Sequence, residues 1–73
     1  MPIIENTAAE IFAEIMREER ERRGLAADQL AEKLGLHHHV IKDWEEGRRT
    51  PRLGSALRWA QYLGFQFELI RPR

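Results

Sequence analysis

A chain of 73 residues with 12 Lys and Arg, 12 Asp and Glu and no Cys is one small domain with a formal net charge of zero. At this size folding buries only about 60 % of the unfolded surface, so a second subunit would add stability that the chain lacks alone. Disulfides, thiolate metal sites and thiol nucleophiles are excluded; Met1 to Glu5 has neither the basic start nor the apolar run of a signal peptide, and no stretch nears the roughly 20 apolar residues of a membrane span, which predicts a soluble cytoplasmic protein without a membrane partner.

The zero net charge hides an asymmetry. Acidic residues dominate up to Glu19, whereas Arg48, Arg49, Arg52, Arg58, Arg71 and Arg73 make the chain after Gly47 basic, opposed there only by Glu68. A localised positive field of this kind suits a polyanionic partner better than the overall balance suggests. No paired carboxylates, no Ser or Cys with a base at hand and no Gly-rich phosphate loop are in view, so the sequence does not read as an enzyme and implies no cofactor.

Gly24, Gly35, Gly47 and Gly64 each follow an apolar-periodic stretch, the usual place for a glycine just past a helix end, and so punctuate four helices. The first begins at a capping box in which Thr7 caps the free NH groups and Glu10 reaches back; Ile11, Phe12, Ile15 and Met16 form its expected buried stripe. Arg17 to Arg23, interleaved with Glu18, Glu19 and Glu21, reads as a salt-bridged face. The second helix, about Ala27 to Leu34, buries Leu30, Ala31 and Leu34 and lacks a side-chain cap at Ala26. The third, about His38 to Glu45, buries Val40, Ile41 and Trp44. The fourth, about Leu53 to Leu63, places Leu53, Ala56, Leu57, Ala60 and Leu63 on one stripe, with Trp59 at its edge and Tyr62 nearly opposite, so that both aromatics are expected to face away from the main core. Phe65 to Ile70 then alternates apolar and polar with period two, which predicts a strand over about 65–71.

The three consecutive histidines, His37 to His39, invite a metal reading, but neighbouring helical positions diverge by about 100° and cannot chelate one ion well, so no metal site is expected. Trp44 and Trp59 follow helical burial spacing and are not interleaved with basic residues as base-stacking platforms are.

Residues 29–36 (Gln-Leu-Ala-Glu-Lys-Leu-Gly-Leu), Val40-Ile41, Trp44-Glu45-Glu46-Gly47, Pro51-Arg52-Leu53 and Ala60-Gln61-Tyr62-Leu63-Gly64 stand in the register of a helix-turn-helix. In these positions, from about Arg17 to Phe65, the chain closely resembles the Cro/repressor-like (Xre-type) helix-turn-helix family. The resemblance implies a mostly α, lambda-repressor-like four-helix domain spanning 1–73, with the helix-turn-helix core at about 27–45, that binds double-stranded DNA as a transcriptional regulator, in particular a repressor, in the cytoplasm at the nucleoid. It places His38, His39, Lys42 and Asp43 at base edges, His37 near a phosphate, and Arg48, Arg49, Thr50 and Arg52 on the DNA backbone. These pairings are chemically sensible, since imidazole and Lys donate to guanine and Asp accepts from cytosine N4. The family's ion pair between first and third helix maps to Arg20 and Glu45. Ala26-Ala27 stands where the family often has Ser-Gln or Thr-Gln, which removes one backbone contact. If protonated His38 and His39 meet phosphate or guanine, affinity for DNA should rise as pH falls from about 7.5 toward 6.

Many members of the family end in a fifth helix, whereas this chain has the predicted strand, which resembles members whose C-terminal strands pair between subunits, antitoxins among them. A lone strand leaves a row of NH and CO groups without partners. Ile3 to Asn6 could pair with it locally; the family's use of two half-sites and the aromatic face favour a homodimer on an inverted repeat, with Trp59, Tyr62, Phe65, Phe67 and Leu69 at the interface. The competing reading is an antitoxin that holds a toxin protein through this surface and autoregulates its operon.

Overall fold

A computed structural model describes residues 7–72. Its elements run α1 (Ala8–Arg22), α2 (Ala27–Lys33), α3 (Val40–Glu45) and α4 (Leu53–Tyr62), with no strand among the described residues. The boundaries follow from local chemistry. The Thr7 hydroxyl accepts from the Glu10 NH at 3.2 Å and the Glu10 carboxylate accepts from the Thr7 NH at 2.9 Å, satisfying two of the donors that every helix start leaves free. At α2 half of that arrangement survives without a capping side chain at Ala26, because Gln29 Oε1 accepts from the Ala26 NH at 2.9 Å.

All four glycines expected at helix ends have positive φ. Gly35 shows the consequence: at φ +72° it reverses the chain so that the Leu36 NH reaches back to the Ala31 carbonyl at 2.8 Å, which closes α2 and aims the chain into α3. Two arginines then satisfy carbonyls that the helix ends leave open. Arg58 Nη2 donates to the Leu34 carbonyl at 2.9 Å and Arg23 Nη2 to the Leu63 carbonyl at 2.8 Å, pinning α4 to the end of α2 and α1 to the end of α4.

The core consists of Ala13, Met16, Leu30, Ala31, Leu34, Ile41, Trp44, Trp59, Ala60 and Leu63. Leu30, Ala31 and Leu34 are buried as the spacing of α2 predicts, whereas the stripes of α1 and α4 hold in part: Met16, Ala60 and Leu63 are buried as expected and Phe12 packs on the core, but other members are not. On α1 the buried positions are Ala13 and Met16 with Phe12 packed beside them, while Ile11 and Ile15 are exposed, one residue and hence about 100° off the contact line. On α4 the buried line passes through Trp59, Ala60 and Leu63, and Leu53 is exposed. Trp59 does not face a partner. It is 0 % exposed, edge-on to Phe12 with ring centroids 5.7 Å apart and 5.2 Å from Trp44, so it is the centre of the core and cannot serve as the interface residue the sequence suggests.

The third helix starts at Val40, two residues later than the expected His38, with His39 in the cap position and no side-chain cap bond. Residues 65–71 form no strand in the single chain. The Phe65 NH is spent on the Ala60 carbonyl at 2.9 Å, and Phe67 lies against Phe12 of α1 with centroids 6.0 Å apart, and among the described residues no second strand forms a ladder with the segment. The local partner considered for it, Ile3 to Asn6, lies outside the described residues.

The charged face of α1 is built as its sequence suggests, and one member is strongly perturbed. Arg22 donates to both oxygens of Glu19 and Arg23 Nε donates to Oε2 at 2.7 Å. These bonds, Arg22's first, pull the Glu19 carboxyl from its ordinary value near 4.5 down to about 2. A carboxyl whose folded value is depressed adds stability that is present above the unfolded value and lost as pH falls through the folded one. The denaturation midpoint should therefore decline between pH about 4.5 and about 2, and Glu19→Gln should flatten that part of the curve. Identical acid limbs for the two proteins would show that these pairs contribute nothing.

Candidate nucleic-acid interface

The two helices flanking the Gly35 turn, α2 and α3, are held at a fixed angle from below. Arg20 reaches from α1 and grips Glu45 on α3 with two parallel bonds, Nε to Oε2 at 2.7 Å and Nη2 to Oε1 at 3.0 Å, while Nη1 donates to the Leu25 carbonyl in the connection to α2. The side chains are 12 % and 4 % exposed, so the pair is shielded on both sides. Glu45, hydrogen-bonded to it, raises the Arg20 guanidinium above its already high ordinary value, and it stays charged. This is the pair that the family resemblance maps to Arg20 and Glu45, and α1, the connection to α2 and α3 meet there.

On the outer side, His37, His38 and His39 are exposed on the turn that leads into α3 rather than on the helix itself. Their rings cluster, with centroids 4.4 Å apart for His37 and His38, 4.0 Å for His38 and His39 and 5.7 Å for the outer two. Among the described residues no group of His, Cys, Asp or Glu has the geometry to hold a metal ion. Lys42 is exposed one turn further along, in a groove it shares with Glu14, Arg17 and Glu46, so the turn and the helix each present donors to solvent.

Asp43 differs from the other three expected base readers. Its carboxylate is partly covered and lies 3.7 Å from Arg48 Nη1 and 3.7 Å from Arg49 Nε. Glu46 Oε1 is 2.5 Å from the same Arg48 nitrogen. Thr50 and Arg52 are exposed on the lead-in to α4, and Arg52 is the residue before its first turn. Arg48, Arg49, Thr50 and Arg52 thus form one loop beside the end of α3, as the resemblance implies, with its first two arginines already engaged by acids. Arg58 is a different case, because its tie to Leu34 makes it a helix anchor; nothing in the local sequence marks it as one, since the carbonyl it meets is 24 residues away.

The surface assigned to a partner subunit splits. Tyr62 and Phe67 are exposed, Leu69 is 101 % exposed, Phe65 is half-buried against the core and Trp59 is removed from the group. Ile70 is exposed as well, and so are Ile11 and Ile15, which the spacing of α1 places in its buried stripe. No helix among the described residues is long and apolar enough to cross a membrane.

Comparison with known proteins agrees with this architecture. The sequence profile of the family described as Helix-turn-helix matches residues 16–70. The chain is 40 % identical over 50 residues, 68 % of its own length and 72 % of the other's, to a protein of Methanothermobacter thermautotrophicus named as an uncharacterised HTH-type transcriptional regulator. No solved structure matches at the same level. With the profile spanning the Arg20 to Glu45 frame, the Gly35 turn and α4, the chain belongs to the Xre-type helix-turn-helix family.

Proposed function

We propose that this protein is a non-enzymatic transcriptional regulator, a repressor, that binds double-stranded DNA in the cytoplasm with α3 and the turn before it in the major groove. The observation that carries the reading is a short α3 with exposed His37, His38 and His39 leading into it, exposed Lys42 on it and the exposed Arg48 to Arg52 loop after it, tied to α1 through Arg20 and Glu45. Base-edge donors supply sequence discrimination and the arginine loop supplies salt-sensitive attraction to phosphates. The relative named as a transcriptional regulator points the same way.

Two copies are needed to read an inverted repeat, one α3 in each of two successive major grooves. The dimer forms through Tyr62, Phe65, Phe67 and Leu69, with residues 65–71 of the two copies pairing as strands. Full exposure of Leu69 and the absence of a ladder at 65–71 among the described residues support this. The same exposed segment favours a second reading in which a toxin protein, and not another copy, adds its strand here and the chain acts as an autoregulating antitoxin.

Duplex binding measured against salt tests the main reading. The wild-type affinity should fall steeply as salt rises, and Arg48→Ala with Arg49→Ala should weaken binding about 10- to 100-fold while reducing the log–log salt slope by up to about 2. A flat salt response, or an unchanged slope in the double variant, would contradict the phosphate grip.

A further inference from the structure

Two of the three arginines in the loop expected to hold phosphates face acids of their own chain. Asp43 engages it twice. Its backbone carbonyl accepts from the Arg48 NH at 2.9 Å and from the Arg49 NH at 3.3 Å, folding the loop onto the last turn of α3. Its carboxylate spans the two guanidiniums, Oδ1 facing Arg48 and Oδ2 facing Arg49, each at 3.7 Å. Only 22 % of the Asp43 side chain is exposed, against 66 % and 68 % for the two arginines. Glu46 adds a second acid on Arg48.

We propose that Asp43 is a specificity-determining residue that couples base reading to the phosphate grip, and that its partner in the groove is an exocyclic amino group, that of cytosine N4. The proposal rests on the reading that α3 enters the major groove. Phosphates that take Arg48 and Arg49 compete with the Asp43 carboxylate for the two guanidiniums. The carboxylate freed in this way meets the negative field of the duplex and is stabilised only where a base offers a donor; in the major groove cytosine N4 does so without an acceptor beside it, whereas adenine N6 stands next to the N7 acceptor, which repels a carboxylate. On a matching site the exchange is compensated. Where guanine or thymine stands there, the carboxylate meets only acceptors and is left unpaired beside the phosphates, and the arginines remain partly held. A residue of this kind lowers affinity for random DNA more than affinity for the site, which is discrimination by a repulsive element. It also gives a reason for a DNA-facing loop in a chain with zero net charge.

Asp43→Asn removes the charge and keeps the side-chain shape and the backbone bonds. Binding of the full-length wild type, Asp43→Asn and Glu46→Gln should be compared on a random-sequence duplex and on a site selected by the wild type, with thermal melts confirming that each variant is folded. Asp43→Asn should bind the random duplex about three- to tenfold more tightly and lose the preference for cytosine at one position of each half-site. Glu46→Gln releases Arg48 from its other acid, so it should tighten binding to both duplexes by a similar factor and keep the cytosine preference. If Asp43→Asn binds random DNA no better and the cytosine preference persists, Asp43 does not couple the two functions. If Asp43→Asn does not fold, the Glu46→Gln arm decides, and unchanged random-duplex affinity there overturns the self-competition. Failure of the wild type to bind any duplex is a separate result that overturns the DNA reading and this proposal with it.

Discussion

Trp59→Ala should cost about 4 kcal/mol and leave the chain largely unfolded at room temperature. The indole is fully buried between Phe12 and Trp44, so truncation removes the packing partner of both rings and opens a cavity where α1, α3 and α4 meet. Total stability on the order of 0.05–0.15 kcal/mol per residue makes a loss of this size comparable to everything that holds a domain of this length together. Trp59→Phe should be much milder. Its Nε1 is buried with no hydrogen-bond partner among the described residues, so the smaller ring gives up volume and at the same time removes an unsatisfied donor. Urea melts of the two variants check this, and comparable losses for Phe and Ala would mean that the indole makes a polar interaction the packing account lacks. Had Trp59 faced a partner subunit, as its position on the helical wheel suggests, both variants would instead fold normally as isolated chains.

Glu45→Ala is the second large effect, about 3–5 kcal/mol, because it strands the Arg20 guanidinium in a site from which water is mostly excluded. For a domain of this size that corresponds to a fall in Tm of roughly 12 °C or more. Replacing both partners by apolar residues of similar size, Arg20→Met with Glu45→Leu, should recover much of the loss, since no charge is then left unpaired. The double variant would still lack the bond from Arg20 to the Leu25 carbonyl. Its DNA affinity should stay below that of the wild type even where its stability does not, because the two parallel bonds that set the angle of α3 are gone. Additive losses in the double variant would contradict the stranded-charge explanation.

The features legible in the sequence are those decided within a few residues. Thr7 with Glu10 marks the start of α1, the glycines mark the helix ends, and Leu30, Ala31 and Leu34 bury one side of α2, all through interactions spanning one turn of helix. The meeting of Arg20 with Glu45 is a long-range contact, 25 residues apart in sequence, and it was legible only through the family resemblance. The direction of Trp59 was not legible for a specific reason. A stripe through Leu53, Ala56, Leu57, Ala60 and Leu63 and one through Trp59, Ala60 and Leu63 share residues and differ by a rotation, and packing against Phe12 and Trp44 selects the second. Arg58 and Arg23 are likewise invisible locally, since each finds its carbonyl on a distant helix end. The pairing of Asp43 with Arg48 and Arg49 depends on how the Gly47 turn folds the loop back, which spacing alone does not reveal. Phe65 to Ile70 does alternate apolar and polar, but it forms no strand, because a strand requires a partner and none lies beside it among the described residues.

The central claim is that this surface reads sequence in duplex DNA, and selection of bound molecules from a pool of random duplexes tests it most directly. The account predicts enrichment of an inverted repeat whose half-sites are centred about one helical turn, roughly 10 base pairs, apart. Enrichment of a single half-site would contradict the dimer, and a recovered pool no different from the starting one would contradict sequence reading altogether.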